Sequence, residues 1–537
     1  MLLKDRFQGF AFFNCSGGTL LPPTVATECG GYRLHLSLAV SLLVFTFAGD
    51  ASLQAQTAWQ GYARNPQHDA QSSVQSQSLG AIVWQTPVDL QPQYSGDELL
   101  IHYGSPVVTS ANTVIVPVKT GATDGFQIEA HNGADGSLLW TQTTDYILPQ
   151  AGWTPSYGPT LTPQGRIYWA AASGSLNWRS GLDTAGAVIP NQVNFYRSKK
   201  RKLNNNVKVC TPLTSDTAGN IYFGFIVEGS GPKGLPTSGL ARVDSNGNGT
   251  FIGFTAGTKK NKMNLSVVLN CAPAISNDGR MVYIAAHGTS LIRNGGAGYL
   301  FALDSTTLRV RNMAELLDPE SGSPAELPDI GSASPTVGPD GRVFFGVLEN
   351  PFSSSKGWLL QFSSDLSHTA AMVPGAFGWD DTASIVPANI VPSYQGTSSY
   401  LLMTKYNNYA GVGGDGKNRI ALLDPNASQI DARTGVTVMK EVITILGQTP
   451  DAEYDGDFPG AVREWCINSA VVDPSSHSVL ANSEDGKLYR WDLTTNSFTE
   501  VVTLTSGIGE AYTPTLIGAD GKVYAINNAI LFAVGAP

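Results

Sequence analysis

The chain has 537 residues, including 58 Gly and 31 Pro, with 42 % hydrophobic residues, 14 % charged residues and a net charge of −10. That density of Gly and Pro excludes long helices and the apolar content excludes a disordered chain, which leaves a turn-rich, mostly β protein. The acidic balance argues against a dedicated nucleic-acid binder, whose footprint is basic.

Residues 1–32 read as an upstream extension, since their Phe-rich, Cys-containing character does not join the later pattern; a start assigned too far upstream would account for them. Residues 33–55 read as a signal peptide. Arg33 precedes the apolar run Leu34 to Phe47, and small residues follow from Ala48 to Ala51. The run is shorter than the ~20 residues a spanning helix needs, so no membrane span is expected in the mature protein. The leader carries Lys4, Arg6 and Arg33 against Asp5, Glu28 and Asp50, so the exported part keeps the full charge of −10. Removing it leaves three cysteines: Cys210, Cys271 and Cys466.

Residues 56–80 form an entry segment, followed by a strand at Ala81 to Val88. From there one phrase recurs: a small residue and Pro, a short apolar stretch, a turn at Asp/Asn/Gln-Gly, then an alternating run with an aromatic. It starts at Ser105-Pro106, Gly158-Pro159, Thr211-Pro212, Ala272-Pro273, Ser334-Pro335 and Thr513-Pro514, with looser copies at Val386-Pro387 and Ile467-Asn468. Each copy reads as two short strands joined by a Gly-containing turn, a third strand, and a fourth, more exposed one. Four antiparallel strands per repeat make one blade of a β-propeller. The expectation is an all-β, eight-bladed propeller over residues 81–537, or seven blades if the two loose copies are misread. The last copy stops after its third strand, Ala529 to Val534, and the spare N-terminal strand would complete that blade and close the ring.

The segment from Trp59 to Ala70, with Trp59, Arg64, Asn65 and His68, resembles the entry segment of bacterial propellers built on the pyrroloquinoline-quinone (PQQ) type repeat. The phrase Ala134-Asp135-Gly136-Ser137-Leu138-Leu139-Trp140 is similar to that repeat's docking motif. The resemblance covers residues 59–537 and implies eight blades. Many propellers of this kind bind no quinone, so no cofactor is expected, with PQQ and Ca²⁺ as the alternatives. PQQ dehydrogenases of the family use a disulfide of adjacent cysteines over the cofactor, and this chain has no Cys-Cys pair, which counts against quinone binding.

All three cysteines precede first strands, where the loops of one face surround the channel mouth. Cys210 and Cys271 fall in neighbouring blades and are the candidate disulfide; three separate buried thiols are the alternative. The same loop class carries the candidate binding residues. Lys199, Lys200, Arg201, Lys202, Lys259 and Lys260 form a basic patch before blades three and four, opposed by Asp380-Asp381 before blade six. Asp451, Glu453, Asp455 and Asp457 before blade seven are the candidate hard-cation ligands. Trp153, Tyr157, Trp379, Trp465 and Tyr512 supply rings that either stack on a ligand or pack between blades. No two-His metal motif, nucleophile elbow or phosphate loop is visible, so no catalytic residue is assigned. The expected molecule is a secreted or periplasmic monomer acting as a binding or scaffold module for a polysaccharide, a peptide or an envelope protein. The alternative is a quinoprotein-type dehydrogenase, or a metal-assisted propeller lyase or hydrolase, acting at the channel mouth.

Overall fold

The computed structural model of the chain describes residues 59–95, 98–99, 104–149, 157–198, 201–257, 262–288, 297–327, 333–351, 355–367, 372–454, 456–507 and 511–537. The expected upstream extension and signal peptide lie outside them, as do Trp153, Lys199, Lys200, Lys259, Lys260 and Asp455. Among the described residues strands dominate, and helix is confined to the short turns Ala172–Gly174 and Ala388–Ile390. Among the described residues no helix is long and apolar enough to cross a membrane.

Among the described residues, the strands after the entry segment, apart from the small pair Tyr94–Ser95 and Glu98–Leu99, fall into eight successive antiparallel units of a β-propeller. The first comprises Val107–Val108, Thr113–Lys119, Phe126–Asn132 and Leu138–Thr144. The second runs from Thr160–Leu161 to Asn191–Asn194. In the third and fourth, Pro212 and Pro273 interrupt the innermost strand, because proline has no N–H to donate to the ladder. The pieces Val207–Val209 and Thr214–Ser215 both pair with Ile221–Val227, and Lys262–Val267 and Ala274–Ile275 both pair with Met281–Gly288. Lys262–Val267 also pairs with Gly249–Gly257 of the preceding unit, which joins the third and fourth units into one continuous sheet. The fifth unit has, among the described residues, the strands Thr336–Val337, Val343–Val347 and Trp358–Phe362. The sixth runs from Ser384–Pro387 to Thr437–Leu446 and the seventh from Val471–Asp473 to Ser497–Thr503.

The eighth unit contains Leu516–Ile517, Val523–Asn527 and Ile530–Gly535, and its outer strand is Ala81–Pro87 from the other end of the domain. The pairing is antiparallel, from Ala81 opposite Gly535 to Pro87 opposite Ile530. Trp84 Nε1 and the Tyr524 hydroxyl both donate to the Gly133 carbonyl of the first unit, at 3.0 and 3.2 Å. The apolar clusters continue the circuit. One spans units one to three, another three to six, and two more link five to six and six to seven; the last joins seven, eight and one.

Burial follows position in the blade. Thr113–Lys119 is buried at every residue, because both faces of a second strand are covered by neighbouring units. The outer strand Ser497–Thr503 is exposed at alternate positions. The Asp-Gly hairpins behave as their sequence requires: Gly341 sits at φ +85° between Gly338 and Arg342, whose backbones bond at 2.9 Å.

The entry segment fills the centre. Its backbone meets the innermost strands in turn: Trp59 bonds Val108, Gln60 O accepts from Leu161, Pro66 O from Ile275, Gln67 O from Val337, Asp69 O from Ile385 and Ala70 O from Val472. Gln60 Nε2 donates to Ser215 of the third unit at 2.6 Å, and Gln77 N reaches Gly521 of the eighth. Ala63, Arg64, His68 and Ala70 all adopt positive φ, a conformation costly for non-glycine residues and imposed here by one tight circuit. Asp69 holds the turn by accepting from Arg64 at 3.2 Å and from Asn65 at 2.7 Å.

Candidate functional site

The face carrying the loops into each first strand holds two contrasting regions. On the axis, Tyr62 rises from the entry segment, and its hydroxyl lies 2.9 Å from Thr382 Oγ1 and donates to Asn468 Oδ1 at 2.6 Å. Burial pushes its pKa up to about 12. His68 packs edge-on against Tyr62, and its Nδ1 lies 2.7 Å from the Pro335 carbonyl. Burial lowers its pKa to about 4, so the imidazole is neutral at pH 7.

The strongest concentration of buried charge lies where units six and seven meet. Asp380 and Asp381 sit in the loop before Ser384–Pro387, and Lys405 is the penultimate residue of the apolar strand Tyr400–Tyr406. Lys405 is 1 % exposed and its ammonium pairs with Asp380. The ammonium also lies 5.6 Å from the centre of the Tyr512 ring and 5.9 Å from that of Phe377. The Thr404 hydroxyl donates to Asp381. Burial pushes Asp381 up to about 7, against the opposing pull of Lys405.

Beside this pair, the extended stretch before Val471–Asp473 brings Glu464 and Cys466, two residues apart, to the same edge, and the following hairpin brings Glu484. Cys466 Sγ is 2.8 Å from Glu484 Oε2 and 3.5 Å from the Tyr512 hydroxyl. One donor atom from each of Glu464, Cys466 and Glu484 lies within 4.8 Å of the other two. Asn407 ties the region together, accepting from Trp465 N at 3.0 Å and donating to Trp465 O at 3.1 Å. A polar cavity of ≈ 400 Å³ adjoins it, lined by Lys356, Tyr406, Asn407, Arg419 and Glu441 among others.

The residues singled out in the sequence distribute unevenly. Tyr157, Trp379, Trp465 and Tyr512 are all buried, so their rings serve packing between blades rather than facing solvent. Tyr157 stacks on Tyr146 at 5.1 Å, and Trp465 packs against Tyr489 and Phe498. Asp380 and Asp381, read as part of an acidic mouth, are buried against Lys405 instead. Cys210, Cys271 and Cys466 are buried as thiols and not bridged, and burial raises the Cys271 pKa to about 12. Of the acidic loop, Glu453 and Asp457 are exposed, and Asp451 Oδ1 accepts from Glu453 N at 3.1 Å. Of the basic patch, Arg201 lies over the Phe251 ring at 5.2 Å and Lys202 is exposed. The same loop borders an open cleft of ≈ 540 Å³, lined by Gln192, Asn194, Arg197, Ser198 and Leu203 among others.

Lys405, Glu464 and Glu484 are the residues that sequence reading missed. Their available signals were a lysine near the end of an otherwise apolar strand, Leu401-Leu402-Met403-Thr404-Lys405, and the triplet Glu464-Trp465-Cys466.

No family model and no curated protein matches the chain. Solved structures do. A europium-containing methanol dehydrogenase is similar with a TM-score of 0.53 and 11 % identity, over 88 % of this chain and 89 % of that one. A quinohemoprotein alcohol dehydrogenase from Comamonas testosteroni is similar with a TM-score of 0.50 and 11 % identity, over 90 % and 82 % of the two chains. At that identity the likeness establishes the β-propeller fold alone.

Proposed function

We propose that the protein is an exported binding module that engages an acidic polymer, such as an anionic glycan, through its loop face. The observation that carries this reading is the filled axis. Residues 59–77 bond to the innermost strands around the ring, and Tyr62 closes the centre with hydrogen bonds to Thr382 and Asn468. Among the described residues, the ≈ 540 Å³ cleft beside Arg197 combines a cation with side-chain amides and a hydroxyl, groups suited to anionic and hydroxyl-bearing ligands. Arg201 and Lys202 extend the positive charge along the same loop. Export follows from reading residues 33–55 as a signal peptide.

The residues do not fit the quinone that the likeness to the PQQ-type repeat implies. The cysteines are single rather than adjacent, and the axis at the level of Tyr62 is occupied by the chain itself. Binding through charge is salt-dependent, since the screening length is about 8–10 Å at 0.1–0.15 M. The purified protein is expected to be retained on dextran sulfate and to elute with salt, and Arg201→Glu with Lys202→Glu should elute at clearly lower salt. Equal elution of the variant and the wild type would refute the proposal.

A further inference from the structure

The geometry points to a thiophilic divalent-cation site of the zinc class on the loop face at the entry to unit seven, formed by Cys466 Sγ and one carboxylate oxygen each from Glu464 and Glu484. This site is separate from the basic loop and does not depend on the binding role proposed above.

Three features carry the inference. The first is convergence: a thiol and two carboxylates from two chain segments bring donor atoms within 4.8 Å of one another. Four-coordinate zinc holds its donors roughly 3.3–3.8 Å apart, given bond lengths of about 2.0–2.3 Å. Cys466 and Glu484 already stand at 2.8 Å, so side-chain rotation of the two half-buried glutamates can complete the geometry without moving a strand.

The second is charge. Asp380, Asp381 and Cys466 lie close enough to Lys405 to act on its ammonium, which is paired with Asp380, and Glu464 and Glu484 converge on the same Cys466. Two carboxylates and a thiol that loses its proton on metal binding would together supply the negative charge that a divalent ion requires.

The third is donor type. A thiolate beside two carboxylates prefers zinc-class ions to calcium, which takes oxygen ligands only. Three protein donors would leave a fourth position for water, and the Tyr512 hydroxyl donates to the sulfur at 3.5 Å.

Cobalt(II) tests the site directly, because thiolate ligation gives a charge-transfer band that carboxylate ligation does not. Metal-stripped full-length protein titrated with Co²⁺ is expected to take up one ion per chain with that band, and Zn²⁺ should displace it. Cys466→Ser should abolish the band, whereas Cys210→Ser should keep it. Should Cys466→Ser fail to fold, Glu484→Gln provides the second arm: the band should persist with Co²⁺ affinity weakened at least tenfold. A wild type with no band at Co²⁺ in hundredfold excess would overturn the assignment. So would a band that survives Cys466→Ser, or an affinity unchanged by Glu484→Gln.

Discussion

Asp381 offers the sharpest physical test of the interface between units six and seven. Its carboxyl is 2 % exposed, and burial raises its pKa from 3.8 to about 7 despite the nearby Lys405. A carboxyl raised on folding contributes stability that is fully present below its unfolded pKa and is lost as pH rises through its folded one. With each pKa unit corresponding to about 1.36 kcal/mol, the full loss is on the order of 4 kcal/mol, of which about 3 kcal/mol falls between pH 5 and pH 8. Asp381→Asn cannot ionise and keeps an acceptor for the Thr404 hydroxyl. The variant should therefore gain about 3 kcal/mol over the wild type between those two pH values. An unfolding entropy of about 2.1 cal/mol/K per residue, over the roughly 480 residues of Gln56–Pro537, converts this to about 3 °C in thermal midpoint. The assay is the difference in midpoint between variant and wild type at pH 5 and pH 8. Taking the difference matters because His68 acts in the opposite sense. Its lowered pKa gives stability present above about pH 6.5 and lost as pH falls toward about 4, and this contribution is common to both proteins. A difference that stays flat with pH, or that falls between pH 5 and pH 8, would refute the argument.

Lys405→Met should lower the thermal midpoint by about 3–5 °C, since stranding one partner of a buried pair costs about 3–5 kcal/mol. Adding Asp380→Asn should recover more than half of that loss, and a double variant no better than the single one would place the cost elsewhere. Tyr62→Phe removes the donor to Asn468 and the contact with Thr382, at a cost of about 1–3 kcal/mol measured in the same scan. Given PQQ and Ca²⁺, the protein should show no dye-linked alcohol oxidation above background, and turnover would contradict the assignment of the filled axis.

Much of the fold is legible in the sequence because blade geometry is written locally. Asp340-Gly341 and Asp520-Gly521 mark hairpins whose glycines do adopt positive φ, at +85° and +86°. The final copy stops one strand short, which calls for the strand at Ala81–Pro87 to complete the last unit, and that strand pairs with Ile530–Gly535. The loose copies also hold strands, at Ser384–Pro387 and Val471–Asp473. The candidate site is less legible. Whether Trp465 stacks on a ligand or packs on Tyr489 depends on the neighbouring blade, which no local pattern encodes. Asp380 and Asp381 read as solvated loop charges because their partner, Lys405, lies 24 or more residues away near the end of an apolar strand. The path of residues 59–77 is not legible, because a segment with positive φ at Ala63, Arg64, His68 and Ala70 has neither strand nor helix periodicity.

The central claim, that an acidic polymer binds the loop face while the axis stays closed, is tested most directly by hydrogen–deuterium exchange with and without dextran sulfate. The account predicts added protection in peptides covering residues 191–198 and 201–208, with none at the Asp340–Arg342 and Asp520–Lys522 turns on the opposite face. Protection confined to those turns, or none anywhere at saturating polymer, would contradict it.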